Sequence, residues 1–131
     1  MLPTLAAAAA LSVLPGFHSP TGNIRCYLGP PGILRCEIAE ADYVQALEDH
    51  CINGRGVDWH GWELRRTGAA RVTCSGGILY PGSDKPVYRN LPYGATWRKA
   101  AFACVSAVTG LTCRNQDGHT LFLSRRAWHA S

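Results

Sequence analysis

The chain has 131 residues, 13 Lys+Arg against 9 Asp+Glu, a formal net charge of +4, and 6 cysteines. That length favours one domain, and 47% hydrophobic residues exclude both a disordered chain and a multi-span membrane protein. A cysteine content this high is more typical of exported than of cytosolic proteins.

Residues 1–14 carry no charge, and residues 5–14 are apolar or small except for Ser12. The run suits a signal-peptide core and is shorter than the ~20 residues of a membrane-spanning helix. Ala10-Leu11-Ser12 places small residues where a signal peptidase reads, although no Lys or Arg precedes the run. Residues 1–12 are therefore expected to be a signal peptide, and 13–131 a single cysteine-rich β domain with no transmembrane segment. No cysteine follows closely enough to expect a lipid anchor.

Next come Cys26 and Cys36, flanking the strong turn Gly29-Pro30-Pro31-Gly32 with apolar neighbours on both sides. This predicts an antiparallel hairpin over 24–27 and 34–38. Residues 39–50 predict the one helix, because Tyr43, Leu47 and Cys51 recur at i, i+4, i+8. Asp42 and Gln45 resemble a capping box. Residues 62–65 and 70–74 alternate around Arg66-Thr67-Gly68 as a second hairpin, and residues 75–92 read as loop. Strands are expected over 97–105, 111–114 and 120–124, with Asp117-Gly118 as the last turn and a short helical turn over 125–129. The fold class expected is mainly β: a small disulfide-stapled antiparallel sheet or barrel-like domain with one short helix and long loops.

No Cys-x-x-Cys and no tight Cys/His cluster occurs, against a zinc ribbon or a thioredoxin-type site. Directly opposed positions on neighbouring strands bring sulfurs within bonding reach, which predicts Cys26–Cys36 and Cys104–Cys113, the latter pair flanking Thr109-Gly110. Cys51 and Cys74 remain to pair with each other. Thr21-Gly22-Asn23-Ile24-Arg25-Cys26 is loosely echoed by Thr109-Gly110-Leu111-Thr112-Cys113, a hint of an internal repeat.

Several segments together resemble a family of small secreted bacterial cysteine-rich domains. They are Phe17-x-Ser19-Pro20-Thr21-Gly22-Asn23-Ile24-x-Cys26, Leu34-Arg35-Cys36-Glu37-Ile38 and Leu91-Pro92-Tyr93-Gly94-x-x-Trp97. Cys104-x-Ser106, Gly110-Leu111-Thr112-Cys113-x-Asn115, Gly118-His119 and Phe122-Leu123-Ser124-Arg125 complete the set. The chain departs from that pattern between the second and third cysteines, where similar proteins are proline-rich, and at Thr120, where glycine is usual. The resemblance implies an exported β-rich domain and carries over no reaction and no catalytic residue.

Candidate chemistry is sparse. Ser106 or Ser124 with His119 and Asp117 would suit a small envelope-acting hydrolase, yet no Gly-x-Ser-x-Gly occurs and Asp117-Gly118-His119 reads first as a hairpin turn. Asp58 and His60 would share a strand face, with Glu63 on the other, which argues against a shared metal site. No cofactor is expected.

Charge is uneven. Five acidic residues and no basic one fall in 37–49, whereas residues 85–131 hold seven basic residues against Asp117 alone. With Tyr88, Tyr93, Trp97 and Trp128 nearby, the basic region suits an anionic partner. The reading is a secreted or otherwise extracytoplasmic, non-catalytic domain that binds through Trp97, Arg98, Arg114 and His119. Its partner would be an anionic envelope polymer, a glycan or a secreted protein rather than nucleic acid; an inhibitor or effector role is the other non-enzymatic option.

Overall fold

The computed structural model describes residues 15–55, 58–75 and 88–131. The expected leader and most of the expected loop 75–92 fall outside them. A six-stranded sheet contains β1 (Gly16–His18), β2 (Ile24–Gly29), β3 (Ile33–Ile38), β4 (Trp59–Leu64), β5 (Arg71–Cys74) and β6 (Tyr88–Asn90). Its first five strands form an antiparallel meander, and β6 returns to lie parallel to β1. A five-stranded antiparallel meander contains β7 (Thr96–Lys99), β8 (Phe102–Ala107), β9 (Gly110–Arg114), β10 (Thr120–Leu123) and β11 (Trp128–Ala130). The mainly β, disulfide-stapled reading holds, with open sheets and no closure into a barrel.

Alternation builds the core between the sheets. Side chains of successive strand residues point to opposite faces, so each strand contributes every second residue inward. Phe17, Cys26, Cys36 and Trp62 lie in one cross-strand row of the first sheet. Trp97, Cys104, Cys113 and Leu121 make the matching row of the second. All eight side chains are buried in one continuous cluster. Phe17 meets Trp97 across the interface with ring centroids 5.1 Å apart. Burying a large apolar side chain fully stabilises by roughly 1.5–3 kcal/mol, so this row carries much of the stability.

The three disulfides are Cys26–Cys36, Cys51–Cys74 and Cys104–Cys113, as the local sequence predicts, and no free cysteine occurs among the described residues. The two hairpin bridges join directly opposed residues, and the sulfurs of Cys26, Cys36 and Cys113 all lie within 4.8 Å of one another. The bridges of the two sheets therefore pack against each other at the centre of the molecule. Sulfurs already bonded in disulfides offer no thiolate to a metal, so this grouping is a core contact and not a metal site.

Four local expectations are corrected. The helix α1 spans Val44–His50 and starts at Tyr43 with no side-chain cap. The preceding residues are held out of the helix by tertiary partners: the Glu40 backbone pairs with both side-chain groups of Asn23, and the Asp42 N–H donates to the Arg125 carbonyl. The expected strand over 97–105 is a hairpin, turning at Ala100 with φ 52°. Inward parity records that turn, since Trp97 is odd whereas Phe102 and Cys104 are even. Residues 125–129 do not form a helical turn: Trp128–Ala130 pairs with β10. Finally, β1 and β6 were not anticipated; both are three-residue strands, too short to show a period.

Gly61 shows why one residue type is required in β4. It has φ +90° at an irregularity of the β4–β5 register, and a Cβ there would collide with the Cys36 carbonyl of β3.

Candidate functional site

The outward face of the five-stranded sheet brings together two of the four residues singled out for binding. Pairing places Arg98, Ala103, Arg114 and Thr120 in one cross-strand row over β7 to β10. The adjacent row reads Thr96, Val105, Thr112, Phe122 and His129. Arg98 and Arg114 are both exposed, with only Ala103 between their strands, so their Cα atoms stand roughly 10 Å apart by strand spacing. Neither forms an ion pair among the described residues, and neither row contains an Asp or Glu.

Beside the arginines lies a partly apolar strip. Val105 is 44% exposed, and the Phe122 ring stacks on His129 at 5.8 Å with planes 24° apart. Phe122 also covers Gly110, whose absent Cβ leaves the space the ring occupies. The ring is thus fixed from two sides while keeping partial exposure. Chemically, the face offers two guanidinium groups for anions next to a flat, weakly polar strip.

The other two residues are placed elsewhere. Trp97 is fully buried against Phe17 and belongs to the core, so it has no surface with which to bind a partner. Two of the aromatic residues grouped with it are equally unsuited to the face: Tyr88 is buried and Trp128 packs on Trp62 at 5.7 Å. His119 sits in the β9–β10 loop, where its Nδ1 is 3.1 Å from the Ser131 carbonyl oxygen and its Nε2 is 3.9 Å from the Asp117 carboxylate. Asn115 shapes this loop by accepting the His119 N–H and donating to the Arg65 and Gly68 carbonyls.

Neither Ser106 nor Ser124 completes a Ser-His-Asp arrangement with His119 and Asp117. His119 and Ser124 lie at opposite ends of β10, separated by roughly 15 Å of strand. Ser106 pairs with Leu111, which itself pairs with Leu123, and so belongs to the Ser124 end. Ser124 Oγ is committed to Ala127.

Asp58, His60 and Glu63 likewise fail to converge on one site. Glu63 accepts hydrogen bonds from Arg65 at 3.0 Å and Arg71 at 3.2 Å. Burial pushes its carboxyl up, but those hydrogen bonds and the two positive charges outweigh it and hold the group below its ordinary value. Trp59 and Trp62 pack edge to face at 5.2 Å as core aromatics. A cavity of about 610 Å³ lies beside Glu63, Arg71 and the Cys51–Cys74 bridge, but its carboxylate is already taken up by arginines.

A second concavity lies at the end of the sandwich and went unanticipated because its walls are far apart in sequence. Loop 19–23, Tyr93, the β8–β9 tip and residues 124–125 line a cleft of about 130 Å³. An adjoining hollow of about 250 Å³ shares Thr21, Asn23 and Arg125 with it. Several of the segments quoted for the family resemblance meet here, including those holding Thr21, Tyr93, Ser106 and Arg125. No protein-family model, curated protein or solved structure matches the chain.

Proposed function

We propose that this protein is an extracytoplasmic, non-catalytic binding domain that holds an anionic polymer of the cell envelope on the outward face of its five-stranded sheet. The observation carrying this reading is the row Arg98–Ala103–Arg114, whose two guanidinium groups form no ion pair among the described residues and whose row holds no Asp or Glu. Arginine presents several donors in a planar fork, which suits phosphate or carboxylate groups repeated along a chain. Three disulfides with no free cysteine among the described residues support an oxidising compartment. No helix of the described residues is long and apolar enough to cross a membrane.

The test is binding to purified anionic envelope polymers, a polyol phosphate and an acidic glycan, at two or more salt concentrations. Wild type should bind saturably and weaken as salt rises, since each neutralised anion releases counterions. Arg98→Ala with Arg114→Ala should lower affinity by about tenfold or more and flatten the salt dependence. Binding that is indifferent to both substitutions, or absent for both polymers, would remove the face from consideration. A hydrolase reading is less well supported, because Ser106 and Ser124 both lie at the far end of β10 from His119.

A further inference from the structure

We infer that the cleft at the end of the sandwich is a separate binding site for a neutral pyranose sugar unit, with Tyr93 as its stacking platform. This rests on the cleft alone and not on the arginine face.

Tyr93 is 48% exposed, and its backbone is fixed from two sides. The Ala95 N–H donates to the Pro92 carbonyl at 3.0 Å, and the Gly94 N–H reaches the Ser106 carbonyl of β8 at 2.7 Å. Gly94, with φ +86°, permits the turn. A tyrosine held this way loses little backbone freedom on binding, and its ring gives a sugar's C–H face an apolar platform. Val108, 82% exposed at the β8–β9 tip, lines the same cleft and extends its apolar rim.

The polar lining favours a neutral ligand rich in hydroxyl groups. Across the cleft and the adjoining hollow, the charged lining residues are Arg125 and Glu40, and they pair with each other at 3.2 Å. No net charge remains to select an anion or a cation. Thr21 accepts the Asn23 N–H through its hydroxyl oxygen, which leaves its own O–H to donate. Asn23 is held in both directions by the Glu40 backbone and keeps one amide N–H beyond those bonds. Arg125 uses one nitrogen on Glu40 and retains further N–H groups that can donate to ring hydroxyls. Of these groups, Asn23 is positioned before any ligand arrives by its two bonds to Glu40, which reduces the ordering cost of binding a small polar molecule.

The experiment is a ¹H–¹⁵N titration of the disulfide-intact chain with glucose, mannose and N-acetylglucosamine, tested one at a time. Saturable shifts confined to the cleft residues Thr21, Asn23, Tyr93, Thr109 and Arg125, for at least one sugar, are expected. Tyr93→Ala should weaken that binding about tenfold, whereas Tyr93→Phe, which keeps the ring, should stay within about threefold of wild type. Because Tyr93 is half exposed, both variants should retain the wild-type melting temperature, which is measured alongside. Arg98→Ala with Arg114→Ala should leave sugar binding unchanged, and raising the salt should have no effect on it. No saturable shift with any of the three sugars would overturn the inference. So would equal affinity of Tyr93→Ala, or shifts centred on Arg98 and Arg114. Failure here leaves the salt-dependent reading of the sheet face standing, and the reverse also holds.

Discussion

The two sheets bury similar rows of large side chains inward but treat charge on their outward faces in opposite ways. On the six-stranded sheet, Arg25 faces Glu37 across β2 and β3 at 3.8 Å. Glu63 gathers Arg65 and Arg71, and Arg35 lies directly opposite it in register. Tyr27 and Tyr88 flank Gly16 on its neighbouring strands, with their ring centroids 6.4 Å apart. Burial raises the Tyr88 hydroxyl's pKa, the nearby Arg25 charge lowers it in part, and the net shift is upward. That face is largely satisfied by its own residues. On the five-stranded sheet, Arg98 and Arg114 have no such partners among the described residues, and an aromatic stack stands beside them. A face whose charges are matched internally gains little from a partner; a face of unmatched cations gains more. This contrast, rather than the total charge, is what the proposed binding surface rests on.

The largest break in the comparison comes from the inside. Trp97→Ala should destabilise by about 3–5 kcal/mol in urea unfolding, by leaving a cavity against Phe17. Its neighbour Arg98 should tolerate Ala almost without cost, so two adjacent residues would separate core from surface.

The hairpin bridges close loops of 10 and 9 residues, so removing either pair, as Cys26→Ala with Cys36→Ala or Cys104→Ala with Cys113→Ala, should cost about 2.5–3 kcal/mol. Because sulfurs of the two bridges lie within 4.8 Å of one another, removing both should differ from the sum of the separate losses. Additive losses would show that the contact contributes no coupling.

Acid should distinguish the two outward faces. The Glu63 carboxyl is held below its ordinary value, so folding favours its ionised form. That contribution is complete above the usual carboxylate range and fades as pH falls through the depressed value. Glu63→Gln should therefore flatten the acid limb of a stability-against-pH curve. A limb of unchanged slope would mean that the arginine pairing in the six-stranded sheet carries no stability.

The smallest effect should come from Arg98→Ala with Arg114→Ala, which should change stability by less than about 0.5 kcal/mol and leave its pH profile unaltered. Thermal melts across the same pH series would check this. A larger loss would make the arginines structural and weaken the binding assignment.

What could be read in advance follows the physics of local pairing. The two cysteine hairpins were legible because strong turn residues force neighbouring strands together and place opposed cysteines in contact. β7 and β8 merged into one expected strand because Ala100 and Ala101 carry no turn signal, although Ala100 adopts φ 52°. The capping-box reading of Asp42 and Gln45 failed because Gln45 instead donates to Asp49 and the helix begins at Tyr43. Burial pushes the Tyr43 hydroxyl's pKa up to about 12, with a smaller contribution from Asp42, and the group donates to the Ser124 carbonyl at 2.6 Å. That bond joins residues 81 positions apart, beyond the reach of any local pattern. The same distance rule governs the sites. Arg98 and Arg114 were recognised as basic, but only strand register shows that they share a row, and only packing shows that Trp97 is inside. The loosely repeated segments lead into β2 and β9, yet Cys26 is bridged to the following strand and Cys113 to the preceding one.

Thiol–disulfide exchange needs a direct approach to a sulfur atom. Cys26, Cys36, Cys104 and Cys113 are 0% exposed between the sheets, whereas Cys74, at one end of the third bridge, is half-buried. A reductant should therefore sever Cys51–Cys74 first and reach the central pair only when the sheets part. Traffic in the other direction meets the same barrier: an oxidant has access to the central thiols before the sheets close over them. Forming either central bridge therefore requires the sheets to be unpacked or transiently open.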